Sequence, residues 1–198
     1  MKPSKDTLQE KENLRQEILD TATILFVDRG YHGIGMREIA ANAGVSKALL
    51  YYHFQNKEDL FLAILMESLE KIGDLVRLAQ QPGKTTRQQI EIVFMGMTAW
   101  EPNQRVMIYV AKQEAKHLSE SQRAEFMKTF HHNFIGQVQD IFANGIRRGE
   151  VQAVDPGLLS QILIGMVSPA LSAAGTVNEV QGIMKKILEL FFDGVQPK

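Results

Sequence analysis

The chain has 198 residues, 22 of them basic and 23 acidic, is 44% hydrophobic and contains no cysteine. This is an ordinary globular composition, long enough for one domain or for a small unit plus a larger one, and it excludes disordered and collagenous chains. The missing cysteines exclude disulfides, thiolate catalysis, Cys-ligated zinc and Fe–S clusters, and the net charge of −1 leaves nucleic-acid binding to a local patch.

Helical periodicity runs through the whole chain. Met1 to Gln16 holds no apolar run and is not expected to be a secretory signal. Leu14, Ile18, Ala22, Leu25 and Phe26 recur at 3.6-residue spacing up to Gly30, where a helix is expected to end. Two short helices follow, Met36 to Ala43 and Lys47 to Phe54, separated by Gly44 and by Ser46 as a helix cap. A long helix is predicted from Lys57 to about Gln80, then a break at Gln81-Pro82-Gly83-Lys84. Further helices are expected over about 84–100, 103–117, 120–148, 156–174 and 178–193, with no strand-like alternation. Pro156 to Asn178 is uncharged, but Ser160, Gln161, Ser168, Pro169 and Ser172 interrupt it, so it reads as a buried helix and not a membrane span.

The segment from Met36 to Phe54 has the layout of a helix-turn-helix. Ala40 is small where two helices cross, Gly44 suits a tight turn of positive φ, and Ile39, Val45 and Leu50 face inward. Residues 1–60 carry 8 basic and 9 acidic side chains, yet Ala40 to Lys57 has no acidic one. The basic patch is therefore expected on the second short helix and the turn after it. A helical hairpin serving only as core is the alternative reading of the bare pattern.

Gly30-Tyr31, Ile39-Ala40, Ala43 to Lys47, Leu50 to Phe54 and Lys57 to Leu60 together resemble the signature of TetR/AcrR-type transcriptional regulators. The likeness is specific over about residues 10–65 and elsewhere rests on length and helix count. It implies an all-α protein of about nine helices, with a DNA-binding unit over 1–56 and a ligand-binding and dimerisation domain over 57–198. It also implies a cytoplasmic homodimer on double-stranded operator DNA, repressing until a small-molecule effector binds, with no cofactor and no metal. By position, Lys47, Ala48 and Leu49 face the major groove behind the cap Ser46. Tyr52, His53 and Lys57 meet phosphates, and Tyr51 packs or touches backbone. Two departures stand out: Gly35 offers no side chain where the family often has Ser or Thr, and Leu49 can meet only a thymine methyl, which leaves Lys47 as the guanine reader and gives DNA shape more weight.

In the larger unit, Leu158, Ile162, Met166, Ala170 and Ala174 recur every four residues beside Leu159, Leu163, Val167 and Leu171. Val180, Ile183, Met184, Ile187, Leu188 and Phe191 form a matching stripe on the last helix. Either ordinary intrachain packing or a two-fold interface fits these stripes. The resemblance favours an interface through Leu159, Ile162, Leu163, Met166, Ala170, Val180, Ile183, Met184, Ile187 and Phe191. Residues 84–150 are rich in methionine and aromatics, Tyr109 among them. A ligand pocket is expected there, with Phe94, Met97, Trp100, Met107, Met127, Phe130, Phe134 and Met166 as candidate walls. No catalytic motif is present, and adjacent His131 and His132 point about 100° apart on a helix, so they do not clasp one metal. A helical interaction or scaffold protein without effector-dependent DNA release remains the alternative.

Overall fold

The computed structural model describes residues 5–173 and 175–196, with the side chains of residues 5–8, Tyr109 and Lys112 outside the description. Ala174, expected on the apolar stripe, also lies outside it. Among the described residues the fold is all-α.

Helix α1 (Lys5–Arg29) is longer than its apolar stripe. Gln9 to Asn13 are exposed, while Ile18, Leu19, Ala22 and Phe26 are buried. Gly30 ends it at φ 71°, with its N–H on the Phe26 carbonyl at 3.0 Å. The two short helices are α2 (Met36–Asn42) and α3 (Lys47–His53). Gly44 adopts φ 65° between them, as the turn requires. Ser46 Oγ accepts from the Leu49 N–H at 3.1 Å and starts α3. Gly35 leaves the start of α2 to the other half of a capping box, in which the Glu38 carboxylate accepts from the Gly35 N–H at 3.2 Å. Seven-residue helices do not persist alone. Ile39, Ala40, Leu50 and Phe54 sink into one core with Ile18, Phe26 and Phe61, and that burial keeps them folded.

Helix α4 (Lys57–Ala79) leaves this unit and runs into the larger one, capped by Asn56 Oδ1 on the Asp59 N–H at 2.8 Å. Helix α5 (Thr86–Thr98) packs against α4 and against the last three helices of the chain, so it forms the centre of the larger unit. Helix α6 (Pro102–Glu114) starts with proline in its first turn and ends in a 3₁₀ turn, Ala115–His117. It touches α1, α4 and α9, and so bridges both units.

The expected helix over 120–148 is one rod with a flaw. Helices α7 (Glu120–Phe130) and α8 (Gly136–Arg147) are joined by a π turn, His131–Ile135. Inserted π turns shift the side-chain register, and this one follows Phe126 and Phe130, which stack with centroids 5.9 Å apart, and carries Phe134, whose ring meets Phe130 edge to face at 5.8 Å. Helices α9 (Pro156–Leu171) and α10 (Val177–Val195) close the fold against α5 and α8. Among the described residues no helix is long and apolar enough to cross a membrane.

Candidate nucleic-acid interface and ligand cavity

Helix α3 displays one side to solvent. Ser46, Lys47, Ala48, Tyr51 and Tyr52 are exposed and Leu49 and His53 half-buried, while Leu50 on the opposite side is fully buried. Lys47 Nζ rests 5.7 Å from the Tyr51 ring centroid, free to extend. Tyr52, 68% exposed, accepts from Lys11 Nζ at 3.4 Å, and the same ammonium stands 5.5 Å from its ring centroid. Arg15 lies over the Phe54 ring at 5.2 Å. Burial lowers the His53 pKa first, and Arg15 and Lys11 lower it further.

Lys11 and Arg15 are one turn apart on α1, so the basic patch is built from two helices and not from α3 and its turn alone. Their i, i+4 spacing was the available signal, hidden by the acidic residues around it. Exposed hydroxyls beside cations suit phosphate oxygens.

Lys57, expected at a phosphate, rests against its own chain. Its Nζ donates to the Ile34 carbonyl at 2.7 Å and stands 4.4 Å from the Tyr31 ring centroid. The side chain is half-buried, and burial lowers its pKa. It pins the start of α4 to the α1–α2 turn because that turn packs over the first turn of α4, which leaves the ammonium turned inward.

Within the larger unit a cavity of about 480 Å³ opens between α5, α6, the α7–α8 rod and α9. Phe94, Met97, Phe130 and Phe134 line it as expected, and Met127 lines a small annex beside Phe130. Met107 does not: it is fully buried in the core. Trp100 and Met166 are half-buried beyond the wall. Helix α9 lines the cavity through Ile164, Gly165, Val167, Ser168 and Leu171, whereas Met166 is the one α9 residue expected there from the sequence. The cavity lies in the size range of small-molecule sites. A broader groove of about 590 Å³ at the α4–α5 turn is an open surface feature beside Lys84 and Glu91.

The expected interface also divides. Leu159, Leu163, Ala170, Val180, Met184 and Phe191 are buried inside this chain, since α9 and α10 turn those faces onto α5 and α8. What stays outside is Ile162 and Ile183, with half-buried Met166 and Ile187. Leu158 and Leu190, the latter 69% exposed, extend the same apolar surface.

The two units meet at the end of α6. The Glu114 carboxylate accepts from the Tyr31 N–H at 3.2 Å, and Tyr31 stacks on His117 with centroids 5.3 Å apart. The Ser119 N–H donates to Glu58 on the first turn of α4. Among the described residues no three acidic or histidine side chains are grouped to hold a metal.

Comparison with known proteins agrees with this geometry. Residues 18–64 match the model for bacterial regulatory proteins of the tetR family, and residues 83–172 match a tetracyclin repressor-like C-terminal domain. The chain is 26% identical over 200 residues to the HTH-type transcriptional repressor KstR2 of Rhodococcus jostii, covering 98% of this chain and 96% of that one. It is 42% identical over 80 residues to the HTH-type transcriptional activator FasR of Mycolicibacterium smegmatis, but that match spans only 36% of the activator and 40% of this chain. In fold it is similar to AibR in complex with isovaleryl coenzyme A and operator DNA, with a TM-score of 0.74 at 23% identity over 90% of this chain and 98% of that one.

Proposed function

The chain belongs to the TetR family of bacterial regulatory proteins, and from that premise we propose that it is a homodimeric cytoplasmic repressor released from an inverted-repeat operator by a small, largely apolar effector. It is a DNA-binding transcriptional regulator. The repressor assignment is supported by KstR2, a named repressor that aligns along its whole length. The effector is supported by AibR, whose structure holds isovaleryl coenzyme A together with operator DNA.

One observation carries the proposal. Gln113 lines the cavity, and the next residue, Glu114, holds the Tyr31 N–H of the DNA-binding unit. Occupation of the cavity thus bears on the helix that fixes the reader's position. A ligand shifts DNA affinity only through its differential affinity for two arrangements of that contact. Lowering DNA affinity 100-fold needs about 2.7 kcal/mol. Burying roughly 100 Å² more apolar surface in one arrangement supplies that at about 25 cal/mol/Å².

The test begins with selection of bound sequences from random DNA, which should return an inverted repeat with half-sites about 34–36 Å apart or a little more. Compounds that raise the melting temperature are then titrated against the operator complex. Release by such binders is the expected result. Tight, stoichiometric binders that all leave operator affinity unchanged would sink the effector reading in favour of a dimerisation scaffold.

A further inference from the structure

Arg105 is 0% exposed and is among the largest fully buried side chains of the described residues. Its Nη1 donates to the Trp100 carbonyl at 2.9 Å and the Thr98 carbonyl at 3.4 Å, closing the end of α5. Among the described residues its Nε and Nη2 have no partner and no carboxylate pairs with it. A buried cation without a carboxylate partner is strongly unfavourable, and here only the carbonyls at the end of α5 offset the charge. The two unpartnered nitrogens are not a random pair. Nε–H and the Nη2–H on the same side form one edge of the planar guanidinium, the edge that grips a carboxylate with two parallel hydrogen bonds.

The position of this edge matters as much as its chemistry. Thr98, which holds Nη1, follows Met97, a wall of the cavity, and Ile108, one turn after Arg105 on α6, is another wall. The guanidinium thus sits at the end of α5, held by the residue that follows one wall of the cavity and carried one turn before another, while Arg105 itself does not line the cavity. Met97 is the wall residue next to Thr98 in sequence, and a methionine side chain is unbranched and readily displaced. Among the described residues the polar groups on the wall itself, Gln113 and Ser168, are neutral, and Ser168 Oγ is already committed to the Ile164 carbonyl at 2.6 Å.

We propose that the effector is a monocarboxylic acid with an apolar body, whose body fills the cavity and whose carboxylate seats on the Nε and Nη2 edge of Arg105. The inference rests on the effector reading above and names its chemical class. It also assigns α6 the ligand's charge, on the same helix that ends at the Glu114 contact with the reader.

The test uses the purified full chain and two matched pairs, decanoate with decanamide and phenylbutyrate with phenylbutyramide, read by calorimetry and melting temperature. At least one acid should bind, about 10- to 100-fold tighter than its amide, as expected for paired charged hydrogen bonds. In Arg105→Met the acid and amide should bind alike, and in Arg105→Lys, which keeps the charge but not the fork, the preference should fall sharply. If Arg105 only closes the end of α5, the Met variant weakens acid and amide equally and the preference survives, which overturns the proposal. Failure of both acids to bind, or equal binding of acid and amide by the unaltered chain, overturns it too. Acids that bind through Arg105 yet leave operator affinity unchanged support this site and count against the effector reading, so the two failures are separable.

Discussion

His32 Nε2 and His117 Nδ1 stand 3.0 Å apart, joining the turn after α1 to the end of α6. A hydrogen bond at this distance needs one nitrogen bare, so this one bond between the DNA-binding unit and the larger unit holds only while the pair is not doubly protonated. The rings meet edge to face at 4.1 Å. Burial lowers the His117 pKa first; His32, Lys116 and Lys57 lower it further, and Glu114 opposes them.

A pH dependence with a definite sign follows. Unfolded His117 takes a proton more readily than the folded residue, so its contribution to stability is complete above the ordinary histidine value of about 6.5 and is lost as pH falls through the lower folded value. The melting temperature of the native chain should drop between about pH 7 and pH 5 more steeply than that of His117→Asn. Parallel curves for the two proteins would remove the pair from the account.

On the DNA face, Lys47→Ala should cost roughly 1–3 kcal/mol on the selected site and relax preference at one base position. Lys11→Ala and Arg15→Ala should weaken binding to all sequences and each lower the salt slope by about one unit. Lys57→Ala should act otherwise, reducing stability because it frees the Ile34 carbonyl and the Tyr31 ring, with the salt slope kept. Fluorescence anisotropy across a salt series separates the two behaviours.

At the subunit face, Ile162→Glu and Ile183→Glu place charge on exposed apolar surface and should yield a folded monomer. Met184→Glu, fully buried within the chain, should unfold it instead, since an unpaired buried charge has no compensation. Sedimentation together with circular dichroism checks both outcomes. A dimer that survives both exposed substitutions places the interface elsewhere.

Gly165 lines the cavity, and a Cβ there meets nothing within 4 Å. Gly165→Leu should therefore fold, bind operator normally and lose effector response by occupying the ligand's space. Operator titration with and without an identified effector reads this directly. An unchanged effector response would show that the ligand does not use this part of the cavity.

Glu150 clamps the start of α5, accepting from the Thr86 N–H at 2.6 Å, Thr86 Oγ1 at 2.7 Å and Arg148 Nε at 2.7 Å. The Arg148 hydrogen bond is the main cause that holds its pKa at about 2, with the Thr86 bonds adding to it and burial opposing. Its stabilisation is complete above the ordinary carboxylate value and is lost as pH falls towards about 2. Glu150→Gln should cost roughly 1–3 kcal/mol at neutral pH, and the cost should shrink on acidification, measurable by urea denaturation. A Gln variant as stable as the native chain at neutral pH would contradict the clamp.

The division between sequence and tertiary structure follows from the range of the interactions. Local rules made the reader legible: Gly44 needs positive φ, Ser46 caps the next N–H groups, and the apolar spacing of Ile39 and Leu50 sets which side is buried. Those forces act within a few residues, so the motif and the exposed face of α3 could be read directly. The rest depended on which of two apolar faces a helix turns inward. Helices α9 and α10 are apolar around much of their circumference, and periodicity alone cannot say whether Met184 or Ile183 meets the core. Packing on α5 and α8 settled that, burying the first and exposing the second. Lys57, read as a phosphate contact by position, was turned inward by a carbonyl 23 residues earlier in the chain. Lys11 joined Tyr52 across 41 residues, and Arg105 was left buried without a carboxylate. Charge placement of this kind is decided by where distant segments meet, and only the folded chain brings them together.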